Sequence, residues 1–205
     1  MRRRTAVLWG LGLGIAGMYA ATYLPAALAR PGKKPRFGIY YFAHRGACKG
    51  PFLENTLPAI AECIRRGYGM ELDVRVTKDN VPVLFHDYRL QKKCGDPRRV
   101  CDCTLEEIRS MRLCGTEETI PTLEEALRLV DGQVPLLLDM KPFSQTKRLY
   151  RPLCRILKGY AGPYRILSWS YPCKWWFWKN FPQAPRVWFR MGKRAFPRKQ
   201  EERHG

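Results

Sequence analysis

Between positions 43 and 87 the chain carries His44-Arg45-Gly46, then Glu54-Asn55-Thr56, then Glu71 and Asp73 two residues apart, then His86-Asp87. Two imidazoles, a guanidinium and a carboxylate pair, each at the end of a run that reads as a β-strand, suit metal-assisted cleavage of a phosphate ester. Side chains along 70–74 alternate faces, so Glu71 and Asp73 share one face while Met70, Leu72 and Val74 share the other. The apolar face must be buried. If the acidic face also points inward, as in a parallel barrel, adjacent carboxylates are costly without a compensating cation. A hard divalent ion with oxygen ligands fits that need. The plain alternative is a surface strand with a solvated acidic face.

Downstream, 134–141 is a nearly continuous apolar run ending in Asp139-Met140-Lys141. Such runs fit strands buried on both faces of a parallel sheet. Asp139 can then supply a third oxygen ligand, and Lys141, on the same face, can hold a phosphate oxygen; an ordinary Asp–Lys ion pair is the alternative. His44 closes the run 37–43 and His86 closes 81–85. Histidine titrates near neutral pH, so either can accept a proton, attack, or protonate a leaving alkoxide. The third histidine, His204, lies in the tail. Taken singly, each site histidine could be structural, and His86 could be a simple partner of Asp87.

The order H-R-G, E-N-T, E-x-D followed by Thr77-Lys78-Asp79, V-x-x-H-D, I-P-T-L-E-E and a strand ending in acid-x-Lys resembles the glycerophosphodiester phosphodiesterases. These are TIM-barrel relatives of phosphatidylinositol-specific phospholipase C. The resemblance covers roughly residues 37–190. It implies metal binding (Mg²⁺ or Ca²⁺) by Glu71, Asp73 and Asp139, acid/base or nucleophilic roles for His44 and His86, and phosphate contacts from Arg45 and Lys141, with Glu54 and Asn55 in support. It further implies hydrolysis of a glycerophosphodiester to an alcohol and glycerol 3-phosphate. Asp139 stands where the family usually has Glu, which puts metal preference and affinity in question.

The elements that must position these groups alternate strand and helix, an α/β pattern that agrees with the TIM (β/α)8-type barrel the resemblance implies. Asn55 or Thr56 can cap a helix bearing Leu57, Ile60, Ala61 and Ile64, stopped at Gly67. Thr104–Glu107 and Thr122–Glu125 are capping boxes. Strands are expected at 37–43, 70–75, 81–85, 134–140, 165–169 and 186–190. Six strands fall short of eight, and a complete barrel of this kind needs about 250 residues. The expected organisation is therefore a membrane anchor and basic linker at 1–36, a barrel truncated after about six strands at 37–192, and a basic tail at 193–205. A second copy could cover the open edges. The competing reading is a catalytically inactive truncated homologue acting as a membrane-bound interaction protein.

Arg2-Arg3-Arg4 precede an uncharged run over 5–29, long enough to span a bilayer, with a cleaved signal peptide as the rival reading. Basic residues lie on both sides of the run, so orientation stays open. The net charge of +19 is uneven. Residues 1–36 hold seven Lys and Arg with no acid, and 142–205 hold 15 against two acids, which leaves 37–141 near neutral. Basic flanks beside an anchor favour an anionic lipid surface. The spacing of the eight cysteines matches no standard zinc module and fits scattered reduced thiols. The Trp-rich stretch 169–188 reads as a helix packed on the barrel or as a membrane-interface contact. It carries no recognisable nucleic-acid module, and no nucleic-acid partner is expected.

Overall fold

The computed structural model describes residues 41–48, 51–141, 146–168 and 170–188. The expected span at 5–29, the linker to 36 and the tail at 193–205 lie outside the described residues. Among those described, no helix is long and apolar enough to cross a membrane.

Six strands form one sheet: β1 (Phe42–His44), β2 (Gly69–Val76), β3 (Pro82–Leu84), β4 (Leu136–Met140), β5 (Tyr164–Ser168) and β6 (Arg186–Trp188). β1, β2, β4, β5 and β6 lie side by side in that order, all parallel. Every expected strand is present, but 81–85 does not take a place in this parallel series. β3 folds back antiparallel on the end of β2, pairing Val74 with Leu84 and Val76 with Pro82. The reason is the length of the link. Only residues 77–81 separate the two strands, whereas a parallel crossover needs about a dozen residues or more. The turn is tied by Thr77 N–H to the Val81 carbonyl (3.0 Å) and by Val81 N–H to Thr77 Oγ1 (2.9 Å), with Asn80 at φ 66°. The barrel-type series among the described residues therefore has five strands, and β4 sits directly beside β2.

Helices α1 (Leu57–Arg65), α4 (Leu123–Val130), α5 (Thr146–Lys158) and α6 (Tyr171–Asn180) contribute to one core with one face of the sheet. Met70, Leu72 and Val74 of β2, Leu136, Leu138 and Met140 of β4, and Ile166 of β5 are fully buried there. Each such side chain is worth about 1.5–3 kcal/mol of transfer free energy. The opposite face carries Glu71, Asp73, Arg75, Leu137 and Asp139. Thr56, one of the two expected caps, takes the N-cap position of α1, but its hydroxyl donates to the Leu53 carbonyl at 2.7 Å and makes no cap hydrogen bond; the buried residues are Ala59, Ile60 and Cys63, while Ala61 is exposed. Both capping boxes form: Thr104 and Glu107 start α3 (Leu105–Arg109), and Thr122 and Glu125 start α4.

A second apolar cluster, including Val83, Phe85, Leu90, Val100 and Ile108, supports the excursion between β3 and α4, which also contains the short helix α2 (Gln91–Cys94). In α6, Trp176 packs at 4.9 Å from Tyr150, whereas Trp175 and Trp178 are exposed and Lys179 lies over the Trp175 ring. The packed reading of the Trp-rich stretch thus holds for one face of this helix.

Candidate functional site

The parallel register brings the acidic residues together. Glu71 is level with His44 of β1, and Asp73 is level with Asp139 of β4. Glu71, Asp73 and Asp139 each offer a carboxylate oxygen within 4.8 Å of the others, which is a group able to hold a divalent cation. Asp73 and Asp139 are buried. Burial first, and then the charges of Asp73 and Asp139, push the Glu71 carboxyl up to about 7. Asp139 Oδ1 is buried with no hydrogen-bond partner. Asp73 Oδ1 lies 2.7 Å from Lys141 Nζ, yet the approach lacks hydrogen-bond geometry. Under-satisfied carboxylate oxygens facing one another are what a divalent ion with oxygen ligands would correct, so the residues fit such an ion.

Lys141 follows β4 and places Nζ 2.5 Å from Asp139 Oδ2 as well as against Asp73. Burial disfavours its charge, but the hydrogen bond to Asp139 and the adjacent Asp73 carboxylate outweigh that and raise its pKa. The structure thus shows the Asp–Lys ion pair, set beside the carboxylate cluster.

Arg45 and Asn55 bracket the loop after β1. Both have φ 59°, and Asn55 N–H donates to the Arg45 carbonyl at 2.9 Å. Gly46, at φ 81°, lies so close to α1 that an added Cβ would sit 3.2 Å from the Ala59 Cβ, which accounts for the third residue of H-R-G. Arg45 Nη1 donates to both Glu54 oxygens at 3.1 and 3.0 Å. Its Nε, 3.5 Å from Asp73 Oδ2, is buried without a hydrogen bond. Asn55 proves to be no helix cap. Its Nδ2 donates to Asp73 Oδ2 at 2.8 Å, and its Oδ1 accepts from the Asp73 N–H at 3.0 Å.

His44 is exposed, with Nε2 3.3 Å from Glu71 Oε2. Partial burial and the neighbouring Arg45 charge lower its pKa, favouring the neutral ring. His86 reaches the same end of the sheet through the hairpin. Phe85 N–H donates to the Asp73 carbonyl at 3.0 Å, and Arg75 Nε and Nη2 donate to the His86 carbonyl at 3.0 and 2.5 Å. Its Nδ1 lies 2.7 Å from Asp87 Oδ1.

Sequence reasoning missed two supports. Arg75, two residues beyond Asp73 on the same face, could have been found from the strand alternation alone. Lys93, whose Nζ is 3.1 Å from Glu54 Oε1, comes from the short helix α2, which the sequence does not announce. The contact of His86 with Asp87, by contrast, is the pair that the sequence offered.

Comparison with known proteins identifies the family. The model of the glycerophosphoryl diester phosphodiesterase family matches residues 44–158, and the chain belongs to that family. It is 34% identical over 128 residues to glycerophosphodiester phosphodiesterase 1 of Homo sapiens, covering 58% of this chain and 38% of that protein. It is 36% identical over 107 residues to a glycerophosphodiester phosphodiesterase of Bacillus altitudinis, covering 49% and 43%. Among solved structures it is similar to a phosphodiesterase of Oleispira antarctica in complex with the product sn-glycerol-3-phosphate, with TM-score 0.67 and 26% identity over 73% of this chain and 65% of that one. The chain thus spans less than half the length of these two curated relatives.

Proposed function

We propose that the chain hydrolyses glycerophosphodiesters to an alcohol and glycerol 3-phosphate, using a divalent cation held by Glu71, Asp73 and Asp139. The observation that supports this best is the three-carboxylate cluster flanked by the lysine and arginine, at the same sheet end as both histidines. A bound Mg²⁺ or Ca²⁺ would polarise the phosphoryl oxygens and neutralise the charge gathering on them. Lys141 and the Arg45 guanidinium hold the phosphate, with Glu54 keeping Arg45 in place. His44, favoured neutral, accepts a proton at Nε2 from the attacking hydroxyl or water. His86, its ring oriented by the contact of Nδ1 with Asp87, donates a proton to the leaving alkoxide.

The uncharged run at 5–29 serves, in this reading, as a single-pass anchor, with basic flanks against anionic lipid. Incubation with glycerophosphodiesters of several head groups tests the activity. Release of glycerol 3-phosphate should stop on chelation and return with Mg²⁺ or Ca²⁺. Hydrolysis indifferent to chelator would exclude the metal mechanism. Cation binding without hydrolysis of any head group would identify an inactive homologue instead.

A further inference from the structure

Four of the eight cysteines, Cys94, Cys101, Cys103 and Cys114, lie in the excursion between β3 and α4. Cys114 is the one exposed cysteine; Cys63, Cys103, Cys154 and Cys173 are buried, and Cys48, Cys94 and Cys101 are half-buried. The Cys114 N–H donates to the Lys93 carbonyl at 2.6 Å, and Cys94 is the next residue. Across that bond, standard backbone dimensions keep the two Cα atoms within about 7 Å, the outer limit for a disulfide. Cys114 and Gly115, at φ 52° and 72°, form the centre of a tight turn closed by Thr116 N–H to the Leu113 carbonyl at 3.0 Å. The two thiols also sense each other. Burial first, and then the charge of Cys114, push the Cys94 thiol up to about 11.

We propose that Cys94 and Cys114 form a disulfide on exposure to a low-molecular-weight disulfide, a modification site that ties the tip of the excursion to α2. The exposed Cys114 thiolate attacks one sulfur of the small disulfide, whose S–S bond breaks and releases one thiolate. Cys94, deprotonated, then attacks the Cys114 sulfur of the mixed disulfide and expels the second thiolate. Two protein thiols lose two electrons and two protons, and one small disulfide is reduced to two thiols. The other cysteines compete poorly. Cys101 and Cys103 are too close in sequence for an easy mutual bridge, and Cys63, Cys103, Cys154 and Cys173 are out of solvent.

The bond has a structural consequence at the site. Lys93, whose carbonyl anchors Cys114 and whose Nζ lies against Glu54, sits immediately before the bridged residue. Oxidation therefore pins the segment that supports the Glu54–Arg45 pair.

The test needs no enzymatic activity. The full chain is incubated with oxidised glutathione, alkylated and mapped without reduction. The expected product is one cross-linked peptide pair joining Cys94 to Cys114, reversed by dithiothreitol and accompanied by a higher thermal midpoint, because the closed loop restricts the unfolded chain. C101S should still form it. C94A should stop at a glutathione adduct on Cys114. A stable glutathione adduct at Cys114 in the unsubstituted chain, a cross-link to any other cysteine, or no reaction would each overturn the proposal.

Discussion

Asn55 grips Asp73 from two sides, with its amide donating to the carboxylate and accepting from the backbone N–H. Both residues are buried, so N55A leaves orphaned polar groups and is expected to lower stability by about 1–3 kcal/mol in urea denaturation. H44A and H86A belong to a different category, since neither histidine is a proposed ligand. Each should lower turnover by roughly 10²-fold or more while leaving cation affinity nearly unchanged by calorimetry. A large loss of affinity would instead make the histidine a ligand. Glu71 gives a pH prediction. Its folded pKa of about 7 exceeds the ordinary 4.5, so the folded state binds the proton more tightly than the unfolded chain. Stability from this group is present below pH 4.5 and is lost as pH rises towards 7, by an amount on the order of 3 kcal/mol. E71Q should remove that loss, and a bound divalent cation should oppose it; identical pH profiles for both proteins would contradict the proposed electrostatics. At this scale the sequence was highly legible, because E-x-D on an alternating strand and the acid-x-Lys ending fix which side chains share a face. What it concealed was the double role of Asn55, since an Asn before Thr and a helical run reads equally well as a cap.

The helices show where local chemistry suffices. Thr122 accepts from the Glu125 N–H while Glu125 accepts from the Thr122 N–H, and nothing distant is needed to form that box. T122A is expected to cost about 1 kcal/mol, read as an earlier denaturation midpoint with an unchanged slope. The strand over 81–85 shows the opposite case. Its apolar run is compatible with a parallel or an antiparallel place, and periodicity does not separate the two. Connection length does, and the five-residue link is the signal that marks the hairpin. The helix-face expectation erred at Ala61 for a similar reason. Small apolar residues at 59, 61 and 63 fit more than one stripe, and only the packing of α1 against the sheet, α4 and the loop at Gly46 selects Ala59 and Cys63.

Over the whole chain, the proposed chemical groups lie between His44 and Lys141, while β5, α5 and α6 contribute packing. Phe177, fully buried on α6, should therefore affect stability more than chemistry. F177A is expected to lose about 3–5 kcal/mol while any folded fraction keeps its cation affinity. The uncharged run at 5–29, flanked by basic residues, carries the membrane reading. The protein is expected to sediment with membranes and to resist extraction by high salt, because purely electrostatic attachment is screened at that ionic strength. Release by salt, or a mature chain beginning at Arg30, would remove the anchor.

The bond from the Asp73 amide to the Asn55 side chain makes that one hydrogen a gauge of the site. Its exchange with deuterium requires the loop after β1 to lift away, and that motion also unfastens a proposed cation ligand. If the cation binds only the closed form, a concentration 100 times its dissociation constant should slow exchange at Asp73 about 100-fold. Amides in the α6 helix would report only the opening of their own region. The metal and the loop could thus be read from a single proton, without any substrate.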